Sequence, residues 1–197
     1  MKILSKVIPK LIPKLILGTL FFALTFSANA LEVKGVKVDE TVQVGGNALV
    51  LNGAGVRTKA VFKVYVAALY LAQKTSDASA AISETGNKRV SMHFLRELSA
   101  EKFLSAINEG FAANNSAAEM TAIDAQMKAF QQMIHSIKAV KEGDVITLDY
   151  ANSGTQVNMN GKTLGTVEGA AFNQALLRVW LGEKPVDASL KKAMLGL

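Results

Sequence analysis

Residues Leu51–Leu71 read LNGAGVRTKAVFKVYVAALYL, and how this stretch divides decides the fold. It opens with a glycine-spaced run, Asn52-Gly53-Ala54-Gly55, and closes with Val61–Leu71, which is rich in the β-branched and aromatic residues of strands. The glycines do not form a phosphate loop, because neither a Gly-Lys-Ser/Thr ending nor a helix follows them. Glycine inside a strand marks instead a bulge or a close backbone approach. Arg57 and Tyr65 are the polar side chains of interest. A guanidinium and a phenol beside an apolar sheet can bind one carboxylate or stabilise one oxyanion. On one straight strand they would lie ~26 Å apart at ~3.3 Å per residue. A shared site therefore requires a turn between them, around Thr58–Ala60. Spacing alone favours the plainer reading, an edge-strand arginine and an interfacial tyrosine.

Outward from this stretch, Val33–Val44 (VKGVKVDETVQV) alternates apolar and polar residues with the period of a half-buried strand. Lys88–Leu95 is a further strand, with Val90, Met92 and Phe94 on one face and His93 on the other. Val145–Tyr150, a turn at Asn152-Ser153-Gly154, and Thr155–Met159 follow, and Asn160-Gly161 is a strong hairpin signal. A helical block lies between the strand groups. Ser99 caps a helix that buries Phe103, Leu104, Ile107 and Phe111. Ser116 and Glu119 form a capping box, and Met120, Ile123, Met127, Phe130, Ile134 and Ile137 continue as one apolar stripe. Glu168–Leu181 is a third helix, ended by Gly182 and Pro185, and Asp187 caps a short last one. This order predicts an α+β fold, helices packed on an antiparallel sheet.

The N-terminus is of another kind. Lys2, Lys6, Lys10 and Lys14 precede the apolar Leu15–Phe26, and Ala28-Asn29-Ala30 offers small residues where a signal peptidase cuts. Residues 1–30 are thus expected to be a secretory signal peptide and 31–197 the working domain, periplasmic or secreted. The apolar run is shorter than the ~20 residues of a membrane span, so no span is expected after cleavage. Removing four leader lysines takes the formal charge from +6 to +2. The basicity is mostly targeting charge, which argues against a nucleic-acid partner. The chain has no cysteine, so an exported fold must be held by burial alone.

Metal and nucleophile chemistry are poorly supplied. His93 and His135 are the only histidines, without partners at ligand spacing, and Met120 and Met127 lie on the apolar stripe. No metal or cofactor is expected. Three segments, Leu51–Leu71, Leu98–Phe103 (LSAEKF) and Leu176–Val186 (LLRVWLGEKPV), resemble the chalcone isomerase superfamily in its bacterial exported, chalcone isomerase-like branch. The resemblance implies an open-faced sandwich, a sheet with helices on one face and a ligand cleft between them.

It implies a site as well. Arg57 matches the family's arginine, which stabilises negative charge in the isomerases and pairs with a carboxylate in the fatty-acid binders. Tyr65 falls where the isomerases have threonine and the binders tyrosine. The isomerases' catalytic tyrosine, lysine and asparagine fall on Phe103, Ala106 and Gly110, and their late-helix hydroxyl on Val179. Apolar lining in place of hydrogen-bonding groups suits a hydrocarbon better than a polyphenol. The expectation is a non-catalytic binder of a small hydrophobic carboxylate, a fatty acid. Arg57 and Tyr65 would hold the head group, and Phe103, Ala106, Ile107, Gly110 and Val179 would line the pocket. The alternative is an isomerase (intramolecular lyase) on an unknown substrate, with Arg57 as the electrophilic catalyst.

Overall fold

A computed structural model describes residues 30–197. The signal peptide expected over residues 1–30 lies outside the described residues, except for Ala30. The Val33–Val44 stretch is not one strand. It is shared among β1 (Ala30–Val33), β2 (Val36–Asp39) and β3 (Thr41–Val44). Lys34 and Gly35, with φ of 52° and 79°, reverse the chain between the first two. The two-residue turn puts Val33 and Val36 on one face at a spacing of three, a one-residue slip that the alternation on either side masks.

The decisive segment folds as a hairpin, β4 (Asn47–Lys59) and β5 (Phe62–Leu71). β5 is buried at every residue from Val64 to Leu71, on both faces. That explains its unbroken apolar run. β6 (Lys88–Phe94), β9 (Val145–Ala151), β10 (Gly154–Met159) and β11 (Lys162–Glu168) complete an antiparallel seven-stranded sheet of order β11-β10-β9-β6-β5-β4-β3. The small strands β7 (Leu98–Ser99) and β8 (Ala139–Val140) pair apart from it.

Helices cover one face, as the α+β reading expects. α2 (Ala100–Asn114) buries Phe103, Leu104, Ile107 and Phe111, and its Ser99 cap accepts from Lys102 N. The expected continuous stripe is broken at Ile123 into α3 (Ala117–Ala122) and α4 (Asp124–Ser136). Ile123, Met127, Phe130 and Ile134 are still buried across the break. α5 (Ala170–Leu181) begins later than the sequence suggests, because Glu168 ends β11 and Gly169 turns the chain at φ 107°. The short helices α1 (Ala78–Ser83) and α6 (Ala188–Met194) complete the layer, and Asp187 caps the latter. On the opposite face Val38, Val44, Leu49, Leu51, Val66, Ala68 and Tyr70 form a smaller cluster. Val33 and Val36 of the β1–β2 hairpin pack against it.

The glycine spacing of β4 has a packing cause. A Cβ on Gly53 would stand 2.1 Å from the Ala193 carbonyl oxygen, and one on Gly55 2.5 Å from the Ala193 Cβ. Only glycine lets α6 lie directly on the strand. Asn52 sits at a bulge and ties the region together. Its amide donates to Met194 O (2.8 Å) and Thr75 O (3.0 Å), and its oxygen accepts from Thr75 N (2.7 Å).

Candidate functional site

The β4–β5 turn falls at Ala60-Val61, one residue later than Thr58–Ala60, and puts Arg57 opposite Tyr65 in the ladder. The two residues, distant along the chain, become cross-strand neighbours. The guanidinium carbon lies 5.6 Å from the centre of the Tyr65 ring, a cation–π distance.

Tyr65 is anchored from the helix layer. Trp180 of α5 donates its indole N–H to the Tyr65 hydroxyl at 2.9 Å. Indole can only donate, so the phenol oxygen is the acceptor there and its own proton remains available. Burial raises the Tyr65 pKa, and Arg57 and the Trp180 bond oppose this without reversing it. The hydroxyl therefore stays protonated, as a donor. Phe94 packs edge-on against the ring at 5.6 Å between centroids.

Arg57 is only 7% exposed, unusual for its type. Its Nε is fully buried without a hydrogen-bond partner, and no carboxylate forms an ion pair with it among the described residues. The nearby Asp187 is occupied elsewhere. It accepts from Ser189 N and Leu190 N at the start of α6, and from Thr58 N at 2.9 Å. These bonds clamp the strand beside Arg57 to the α6 cap. Arg57 lines a pocket, whereas Tyr65, 1% exposed, stands in the core outside the pocket lining and meets the guanidinium through its ring. An unpartnered guanidinium at a pocket can receive an anion.

Arg57 lines a pocket of about 270 Å³ with Thr58 and Lys59, the α2 residues Ala106, Glu109, Gly110 and Ala113, and Lys184, Pro185 and Val186 from the α5–α6 connection. The wall is half polar: Ala106, Gly110, Ala113, Pro185 and Val186 supply its apolar part, and Thr58 with the charges of Lys59, Glu109 and Lys184 join Arg57 in the rest. Of the expected lining residues, Ala106 and Gly110 are here. Phe103, Ile107 and Val179 are packed into the sheet–helix core instead. Gly110 is bare because Val179 leans on it. A Cβ there would meet Val179 Cγ1 at 2.8 Å. The interior between sheet and helices is filled by side chains, and the pocket opens where the end of β4, α2 and the α5–α6 connection meet. Glu109 and Ala113 follow Ala106 and Gly110 by three residues on α2, so helical spacing could have found them. No sequence signal joins Trp180 to Tyr65, since that contact depends on how α5 crosses the sheet.

Fold and pocket together define an α+β open-faced sandwich with a small, charge-lined pocket at one end of the sheet–helix interface. The chain belongs to the chalcone isomerase-like family, whose model matches residues 30–196. Among solved structures it is similar to a fatty-acid binding protein of Arabidopsis thaliana, at 14% identity and a TM-score of 0.65. The match covers 82% of this chain and 92% of that one, and at this identity it speaks for the fold alone. No curated protein matches the sequence.

Proposed function

We propose that this chain is an exported binding protein for a small hydrophobic carboxylate, with Arg57 as the head-group receptor. The observation that carries the reading is Arg57, which is buried with its Nε unpartnered and lines a pocket whose wall is part apolar and part cationic. An unpaired buried donor is costly, and a bound carboxylate removes that penalty through a charge-assisted bond. Tyr65, outside the pocket lining, would support the guanidinium from behind through its ring. The fatty-acid binding function of the Arabidopsis protein of the same fold supports this class of ligand. The size of the pocket, about 270 Å³, lies just under the ~300–1,000 Å³ common for small-molecule sites, which favours a short acyl chain. Export, through cleavage after Ala30, is part of the proposal. N-terminal sequencing of protein recovered from a secreting host should begin at Leu31.

The test is calorimetric titration of octanoate, with octanol as the uncharged control. Wild type should bind the acid and not the alcohol, and Arg57→Ala should bind neither. Equal binding of octanoate by wild type and Arg57→Ala would overturn the assignment. The isomerase alternative draws on the same guanidinium. It lacks a buried acid–base partner, because Glu109 is the only carboxylate on the pocket wall and it is exposed.

A further inference from the structure

Five hairpins in the described chain close through two-residue turns, and four follow one rule. Lys34-Gly35, Gly45-Gly46, Asn152-Ser153 and Asn160-Gly161 each place both residues at positive φ and build the turn from glycine or polar residues. This is how a water-facing hairpin is made. The β4–β5 turn breaks the rule. Ala60 takes φ 54° without being glycine, and the residue beside it is Val61.

The departure is apolar, at the most exposed point of the hairpin. Val61 is 84% exposed and Phe62 55%. The other exposed large apolar residues among those described are Leu31 and Leu197, near the two ends of the described chain. Cations surround the tip. Lys59, Lys63, Arg96 and Lys102 are all exposed, and the Arg96 guanidinium lies 4.5 Å over the Phe62 ring. Glu97 is the one acid lining the groove beside the tip. Lys59 lines both this groove and the Arg57 pocket, so the tip stands at the pocket's mouth.

An apolar point ringed by lysine and arginine is complementary to a surface that is anionic outside and hydrocarbon beneath. We infer that the β4–β5 tip is a membrane-docking element, placing Val61 and Phe62 among the acyl chains of an anionic bilayer while the four cations meet its head groups. No helix among the described residues is long and apolar enough to cross a membrane, so the contact is peripheral. Docking here brings the pocket mouth to the lipid surface. The inference stands on the hairpin and does not depend on what Arg57 binds.

The experiment is vesicle co-sedimentation with residues 30–197. This segment holds all the strands, helices and core residues described above, and it leaves the apolar Leu15–Phe26 out of the assay. Wild type should pellet with vesicles containing about one-third phosphatidylglycerol, and not with pure phosphatidylcholine. Binding should be released at about 1 M salt, where the Debye length is ~3 Å. Val61→Ser/Phe62→Ser should lower the partition coefficient at least tenfold with an unchanged Tm. Lys63→Gln/Lys102→Gln should lower it about 25-fold, each cation being worth about fivefold, or ~1 kcal/mol at ~1.4 kcal/mol per tenfold. In a Val61→Trp variant the added fluorescence should shift to the blue with anionic vesicles only. Arg57→Ala should still pellet, which separates this surface from the pocket. Three results would each overturn the inference: no pelleting of wild type, equal pelleting of Val61→Ser/Phe62→Ser, or wild-type self-association without vesicle binding that the same variant abolishes. The last would make the tip a contact between copies.

Discussion

Replacing Arg57 by methionine separates what the residue does for the fold from what it does for a ligand. Methionine keeps the length of the side chain and much of its volume, so no large cavity opens, and it brings no donor. Two effects then compete in the free protein. The variant removes a buried Nε–H without a partner, a penalty of about 1–3 kcal/mol. It also removes the cation–π contact with Tyr65, worth about 0.5–2 kcal/mol at its 5.6 Å distance. The first outweighs the second at the centre of the ranges, giving a net stabilisation of about 1 kcal/mol. For a domain of this size that raises Tm by about 2–4 °C. Binding should move the other way. Loss of a hydrogen bond to a charged group, about 1.5–3 kcal/mol, weakens a carboxylate ligand about ten- to hundredfold. The assay is thermal unfolding by circular dichroism with and without octanoate. The expected pattern is a higher Tm in the apo variant and no ligand-induced shift. A drop in Tm of more than about 4 °C would mean that Arg57 holds the fold together, and the case for an anion receptor would fail with it.

Other outcomes follow from the packing around the site. Ala106→Leu places a larger side chain on the pocket wall, so octanoate affinity should fall more than tenfold in calorimetry while stability changes by about 1 kcal/mol or less. Asn52→Ala deletes three hydrogen bonds at the α6–β4 junction and strands their backbone partners, so urea denaturation should show a loss of about 2–4 kcal/mol. Gly53→Ala, with its Cβ 2.1 Å from the Ala193 oxygen, should lose about 3 kcal/mol or more and expose α6 to proteolysis. Glu119 is held down to about 2 by bonds from the Ser116 backbone and hydroxyl and from Arg178. A lowered carboxylate contributes stability above its ordinary value near 4.5, lost as pH falls through about 2. Melting curves of Glu119→Gln between those pH values should therefore be flatter than those of wild type.

How much of this was legible in the sequence depends on whether a feature is local. The helix starts at Ser99, Ser116 and Asp187 were readable, because a cap is written within four residues of chain. The Asn160-Gly161 hairpin was readable for the same reason. The split of Val33–Val44 was not, since the turn shows only as a one-residue slip in the alternation between Val33 and Val36. The break at Ile123 was hidden similarly: the residue leaves the helix but stays on the buried stripe, so the period is undisturbed. Burial of the second sheet face by the β1–β2 hairpin depends on long-range pairing, which no local pattern records.

The site divides along the same line. Arg57 stands out in the sequence as the cation after the glycine run, the resemblance gives it a role, and its pairing with Tyr65 carries a geometric condition that the Ala60-Val61 turn meets. The resemblance places Phe103 and Val179 at polar catalytic positions of the isomerases, and Ile107 lies beside Phe103 on the same buried side of α2. Once the hydrogen-bonding groups are gone, nothing keeps those positions open, and apolar side chains there close on one another. Val179 fills the space over Gly110, and Phe103 packs edge-on against Phe94. Those positions are therefore closed here. What stays open is the end where charge resists closure: Arg57 below, with Lys59, Glu109 and Lys184 around it. The proposed preference for a carboxylate therefore rests on Arg57, and the proposed limit on its length on the closure behind it.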